Sequence, residues 1–228
     1  MLLTFINPNL AMKTTKCLII IGLLLVLTGA SGFSQATTSA QKDYKYTIKV
    51  NPMAALGGPF WVVVIPVTGE YKALFEAKVA QKVSLQLGAS YIGPSVLLNL
   101  DKLTTDTASI SGIHTSGFRF SGMVKYFLSR DLPAPKGFYI APQVSYAKAS
   151  IASKDNSSNK VNAQKLNINA CIGYQLITSG GFCLDIFTGM GYVSRKWDYQ
   201  GDSSGELDLG ANKSGISIPL GISFGYAF

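Results

Sequence analysis

The chain of 228 residues is 47% hydrophobic and 14% charged, with a formal net charge of +8. That size and composition suit one globular domain or one small barrel and exclude a disordered chain. Three cysteines and one histidine offer no Cys/His ligand set for zinc, which draws three or four such groups or carboxylates together. No metal or other cofactor is expected.

At the N-terminus, Lys13 and Lys16 lead into the unbroken apolar run 17–27, followed by small and polar residues ending Ser34, Gln35, Ala36. This order of charge, apolar run and small residues is that of a cleaved secretory signal over residues 1–36. The run is about half the roughly 20 residues of a membrane-spanning helix, and no cysteine of the kind a lipoprotein uses follows it. Met12 opens a more conventional signal than Met1, so the start is expected at one or the other. Cleavage near Ala36 takes two of the 20 bases and none of the 12 acids, leaving +6. An exported chain of that charge meets anionic lipid or lipopolysaccharide, and without a basic helix carrying interleaved aromatics it has no nucleic-acid surface. Cleavage also removes Cys17, leaving Cys171 and Cys183 in an oxidising compartment. Residues 37–43 form a short segment ahead of a single domain, 44–228.

Within that domain apolar residues recur with period two in eight stretches and nowhere with helical spacing. Tyr44, Tyr46, Ile48 and Val50 alternate with Lys45, Thr47 and Lys49. Next come Tyr71, Phe75 and Val79 against Glu70, Lys72, Glu76 and Lys78, then Val83, Leu85, Leu87 and Tyr91 against Ser84, Gln86 and Ser90. Phe118, Phe120, Val124 and Tyr126 oppose Arg119, Ser121 and Lys125, and Phe138, Ile140, Val144 and Tyr146 oppose Gln143 and Ser145. The sixth stretch sets Leu166, Ile168, Ile172 and Tyr174 against Lys165, Asn167, Asn169 and Gln175. In the seventh, Phe182 to Tyr192, Phe187 alone breaks the rule. The eighth carries Ile216, Ile218, Leu220, Ile222, Phe224, Tyr226 and Phe228 opposite small residues. Links at 80–81, 129–136 and 177–181 are short, and those at 93–115, 153–160 and 194–213 are long and polar. This pattern predicts an all-β fold, an eight-stranded antiparallel up-and-down transmembrane β-barrel with short turns at one end and long loops at the other.

Alternation alone leaves open which face is inside. A soluble periplasmic lipocalin-like binder would turn the apolar face inward. Three features favour the reverse. Aromatics on the apolar face gather near both strand ends, as Tyr44, Tyr46, Tyr126, Phe138, Tyr174, Phe182 and Tyr226 at one rim and Tyr71, Tyr91, Phe118, Tyr146 and Tyr192 at the other, like two interfacial girdles. The polar face is rich in glycine, which suits a crowded narrow lumen. The run Ile222, Phe224, Tyr226, Phe228 has the form of an assembly signal read by the barrel assembly machinery.

On these features the chain resembles the small eight-stranded outer-membrane barrel families of Gram-negative bacteria, including the OmpA transmembrane domain, OmpX and OmpW, and most of all members of Bacteroidota type. The resemblance spans about 44–228 and rests on the architecture, Ile48-Lys49-Val50-Asn51-Pro52, Lys82 to Gly88 and the final Phe. It departs at the non-alternating apolar stretch 60–67, where the first outer loop should be. The resemblance implies outer-membrane localisation and no catalytic motif.

The lumen is expected to carry Lys45, Lys49, Lys72, Lys78, Arg119, Lys125 and Lys165 against Glu70, Glu76 and Asp185. A nearly filled interior requires such charges to pair. Cys171 and Cys183 share the inward parity on neighbouring strands, so a cross-strand disulfide and two free thiols are both open. Phe60, Trp61 and Trp197 are placed beyond the strands at the outer end, as an interfacial anchor or an interaction loop. His114 is the single candidate base for an enzyme, but neither Gly-x-Ser-x-Gly nor paired carboxylates stand near it. The expected function is therefore non-enzymatic, structural or surface-interacting, with a narrow channel for small or hydrophobic solutes as the alternative.

Overall fold

The computed structural model describes residues 43–56, 68–94, 113–130, 132–153, 160–200 and 214–228. The signal segment 1–36, residues 37–42 and the stretch 60–67 with Phe60 and Trp61 lie outside the described residues. The elements are β1 (Tyr46–Val50), a short helix α1 (Met53–Leu56), β2 (Thr68–Ala80), β3 (Val83–Pro94), β4 (Ile113–Phe127), β5 (Gly137–Ser153), β6 (Lys160–Ile177), β7 (Phe182–Gln200), β8 (Ser214–Ser217) and β9 (Leu220–Ala227). Every strand from β1 to β7 pairs antiparallel with the next, β9 pairs with β7, and β1 pairs with β9, so the sheet closes on itself. β8 and β9 both lie along β7 and form one eighth stave, interrupted at Ile218 and Pro219. Proline has no N–H to give the ladder, and Thr188 Oγ1 donates to the Pro219 carbonyl there at 3.1 Å. The fold is an eight-stranded, closed, antiparallel up-and-down β-barrel.

The turn end is fixed by side chains that satisfy backbone groups. The Lys82 ammonium donates to the carbonyls of Ser129, Arg130 and Leu132, holding the β4–β5 connection. Gly181 opens the β6–β7 return at φ +91, a conformation that favours glycine, and a Cβ there would lie 2.7 Å from the Ala227 carbonyl. The helix α1 escaped the search for periodicity because it is one turn long. Its signal is a cap: Asn51 Oδ1 accepts from Ala54 N–H at 3.2 Å with Pro52 between them.

The apolar face points outward around the whole barrel. Ile48, Phe75, Leu87, Phe120, Val144, Ile168, Met190 and Phe224 are all exposed, while Lys49, Glu76, Lys125 and Asp185 on the opposite face are fully buried. This is the reverse of the arrangement in a barrel with an apolar cavity. Phe182 and Tyr192, outward-facing at the two rims, are ten residues apart on β7, which is about 33 Å of strand and about 25 Å of barrel height at a ~40° tilt.

Past the girdle of the loop end the pattern inverts. Ala147, Ala149, Ala163 and Val193 are buried inside, and Lys148, Lys196 and Asp198 are exposed outside. Strands β5 to β7 therefore run on past the rim with small apolar residues and the half-buried Lys165 and Arg195 inside and charged residues outside. Two expectations are corrected by this. β7 continues to Gln200 rather than giving way to a loop at 194, and Trp197 stands in that strand, partly buried against Ile92, Ala147, Ala149 and Ala163. At the turn end Tyr44 is also corrected. Lying before β1, it departs from the strand's parity, is buried, and donates its hydroxyl toward the carbonyls of Thr178 at 2.9 Å and Ser179 at 2.8 Å. Lys45 is exposed rather than lumenal.

Candidate functional site

The lumen is the one place where the described residues concentrate charge, and it is built in layers. Phe127, Tyr139, Met123, Cys171 and Phe187 form one apolar cluster, and at the turn end Tyr44, Ile177, Cys183 and Ala227 form another. Against them sits a four-membered ion cluster. Lys49 Nζ lies 2.5 Å from Glu76 Oε2 and 2.7 Å from Asp185 Oδ2, and Lys125 Nζ lies 3.3 Å and 2.6 Å from the same two oxygens. Both ammonium groups also donate to Gln175 Oε1, at 3.1 and 2.7 Å. Ser84 donates to the other Glu76 oxygen, and Tyr139 donates to the other Asp185 oxygen at 2.7 Å. Lys125 rests over the Tyr139 ring, 4.5 Å from its centre.

All four charged side chains are inaccessible to water. Desolvating four charges is costly, so the cluster is tolerable only because charges balance two against two and every carboxylate oxygen is bonded. Four strands, β1, β2, β4 and β7, each supply one member. The cluster therefore cross-braces the barrel through its middle and closes the lumen at that level.

Toward the loop end lies a second group. Glu70 accepts from Arg119 Nη1 at 2.9 Å and from Ser90 Oγ at 2.7 Å, and Lys72 approaches it at 3.5 Å. Arg119 Nη2 donates to Ser145 Oγ at 2.9 Å. Lys72 thus belongs with Glu70, not with Glu76, and the lumenal charges pair in two separate groups. Between them Gln143 accepts from Asn169 at 3.0 Å, and the side-chain oxygens of Gln86, Asn167 and Asn169 are buried without a protein partner. Lys78 lies outside both groups and pairs with Asp43 at 2.6 Å on the turn-end rim.

Cys171 and Cys183 are free, not bridged. Register explains why. Cys171 stands opposite Gly189 and Cys183 opposite Ile177, so the two are offset by six residues, about 20 Å along the strand and far beyond the reach of a disulfide. Intact-mass measurement after unfolding without reductant is expected to show two alkylated thiols. A mass with none would mean a bridge and a different register.

His114 lies in β4 opposite Ala152; its side chain is outside the described residues. Among the described residues no group of His, Cys, Asp and Glu could hold a metal ion. Ile222, Phe224, Tyr226 and Phe228 share the outward face, and Phe228 closes the barrel through its carbonyl, which accepts from Tyr46 N–H at 2.9 Å and Lys45 N–H at 3.0 Å. Sequence reading missed Gln175, Tyr139 and Ser84 as partners of the ion cluster, and inward parity was the signal that marked them. Comparison with family models, curated proteins and solved structures finds no match.

Proposed function

We propose that the chain is a non-enzymatic outer-membrane protein, exported on residues 1–36, whose barrel spans the bilayer and presents its long-loop end as an interaction surface. One observation carries this reading: a closed barrel with a continuous apolar exterior, about 25 Å tall between aromatic rims, encloses fully buried charges. Such an exterior in water would be a large aggregation-prone surface, and in lipid it is matched. The inversion of polarity beyond Tyr192 supports the same reading, because it falls where strands of this length leave the hydrocarbon. The resemblance to small barrels of Bacteroidota type agrees with it, and outer-membrane lipid, lipopolysaccharide and the assembly machinery are the partners it implies. The ion cluster argues against the narrow-channel alternative, since a solute crossing that level has to part Lys49 and Lys125 from Glu76 and Asp185.

Fractionation tests the reading. The protein is expected in the outer-membrane fraction, with faster electrophoretic mobility before boiling than after, and with no conductance steps in planar bilayers. Recovery without detergent would overturn it. A sharper check uses Ile186, which faces outward on β7 four residues from Phe182 and six from Tyr192, near the middle of the apolar band. In lipid, Ile186→Arg is expected to lower unfolding free energy by about 2–4 kcal/mol, whereas on a water-facing strand the change would cost far less. Urea titration of the barrel in vesicles distinguishes the two.

A further inference from the structure

At the turn end of the barrel a pocket of about 370 Å³ opens to water, lined by Asp43, Lys78, Gln81, Lys82, Arg130 and Pro133. Three segments build it: the residue before Tyr44, the end of β2 with its turn into β3, and the β4–β5 connection. Three of the six lining residues are bases and one is an acid, so the wall carries a net charge of +2. The acid is already committed, since Asp43 Oδ1 lies 2.6 Å from Lys78 Nζ. Lys82 meets neutral partners, the carbonyls of Ser129, Arg130 and Leu132. Arg130 is exposed, and its guanidinium forms no hydrogen bond or ion pair with the described residues. Asp131, which follows it, lies outside the described residues. A concave wall of one prevailing sign focuses the field and draws in counter-ions.

We propose that this turn-end pocket binds a phosphate-class dianion, with Arg130 as its hydrogen-bonding fork and Lys78 and Lys82 as fixed charges. The site lies at the opposite mouth from the loop-end surface and goes beyond the role given to that surface. Its wall is set before any ligand arrives. The three bonds from Lys82 pin the connection that carries Arg130 and Pro133, and Ala134 N–H ties the same connection to the Gln81 carbonyl at 2.7 Å. Asp43 in turn holds Lys78. Such preorganisation leaves little ordering cost for binding. Lys82 spends all three of its N–H donors on carbonyls, so it supplies charge, while Arg130 supplies free donors. A phosphate monoester carries about −1.5 to −2 at neutral pH, which the wall balances, and a planar guanidinium engages two of its oxygens at once. The pocket is larger than a bare phosphate, leaving room for the group that bears it.

That group can be a free solute or a lipid headgroup at the turn-end rim, and two calorimetric titrations separate the sources. Inorganic phosphate and the short-chain lipid dihexanoyl phosphatidic acid are each titrated at physiological ionic strength into the full chain in zwitterionic detergent. Saturable binding of either supports the site, provided that Arg130→Gln weakens it at least tenfold and the exposed, loop-end Lys148→Gln leaves it unchanged. Response to phosphate assigns a free anion, and response to the lipid alone assigns a headgroup. Arg130→Lys, which keeps the charge and removes the fork, is expected to fall between. Asp43→Asn takes the one acid from the wall and is expected to tighten binding severalfold, an effect of the opposite sign that a damaged fold would not produce. Heat-dependent mobility is recorded for every variant. Binding that is absent from a heat-shifting wild-type barrel, indifferent to Arg130→Gln, or weakened by Asp43→Asn overturns the anion site and leaves the barrel standing. Recovery free of detergent with binding and its Arg130 dependence intact overturns the membrane reading and upholds the site.

Discussion

Asp185→Asn is expected to lower the stability of the barrel by about 3–5 kcal/mol, the range seen when one member of a buried charge pair is removed. The Asp185 carboxylate accepts from Lys49, Lys125 and Tyr139 at 2.6–2.7 Å, and no water reaches it. Asparagine keeps the shape but leaves two ammonium groups facing Glu76 alone. Its amide N–H can be turned toward Tyr139, whose hydroxyl also accepts, so the loss is chiefly that of the charge. Glu76→Gln removes the same charge and is expected to lower the unfolding midpoint as well, by less, because its bond to Lys125 is the longer at 3.3 Å. Combining Asp185→Asn with Lys125→Met restores neutrality, and the double variant is expected to regain much of the loss. A double-mutant cycle read by urea unfolding in vesicles measures the coupling. If the single change leaves the midpoint where it was, the four charges are hydrated and the lumen is not closed at that level.

How far this was legible in the sequence depended on where in the barrel a residue sits. Between the aromatic rims the strands carry large apolar residues on one face and small or polar ones on the other, so period two shows at once, and the positions of Lys49, Glu76, Lys125 and Asp185 follow from parity. Beyond the loop-end rim the contrast reverses. Ala147, Ala149, Ala163 and Val193 are inside, with Lys148 and Lys196 outside. Searching for apolar residues on one fixed face therefore ends the strands too soon, and Trp197 looks like part of a loop. Phe187 broke the alternation because it fills the lumen, whose facing positions on that strand are otherwise small or polar. Partnership is harder to see than position. Nothing in spacing says that Lys72 turns to Glu70 while Lys49 crosses the lumen to Asp185, since closure brings residues 136 apart into contact. The relative register of β6 and β7 was equally hidden, and it decides the state of both cysteines.

The filling of the lumen by Phe187 has its own consequence at Gly221, directly opposite on β9. A Cβ built on Gly221 would lie 2.2 Å from Cε1 and 2.4 Å from Cζ of that ring, and the ring's Cδ1 is its next neighbour at 3.0 Å. The glycine is there because the ring occupies the space its side chain would need. Gly221→Val puts three carbons into that space, where the ring is hemmed in by Met123, Tyr139 and Cys171. Overpacking of a closed core commonly costs about 1–3 kcal/mol and sometimes more, and the barrel wall cannot bow outward without breaking ladder bonds to β7. We expect little heat-shifting species from this variant on refolding. Phe187→Ala alone removes the filler and is expected to cost about 3–5 kcal/mol, as large-to-small changes of buried aromatics do. Together the two changes exchange one filler for a smaller one from the neighbouring strand, so the double variant is expected to be more stable than Gly221→Val and to show strong favourable coupling. Losses that simply add would mean that Phe187 does not lie over Gly221, and that the ring turns out of the lumen.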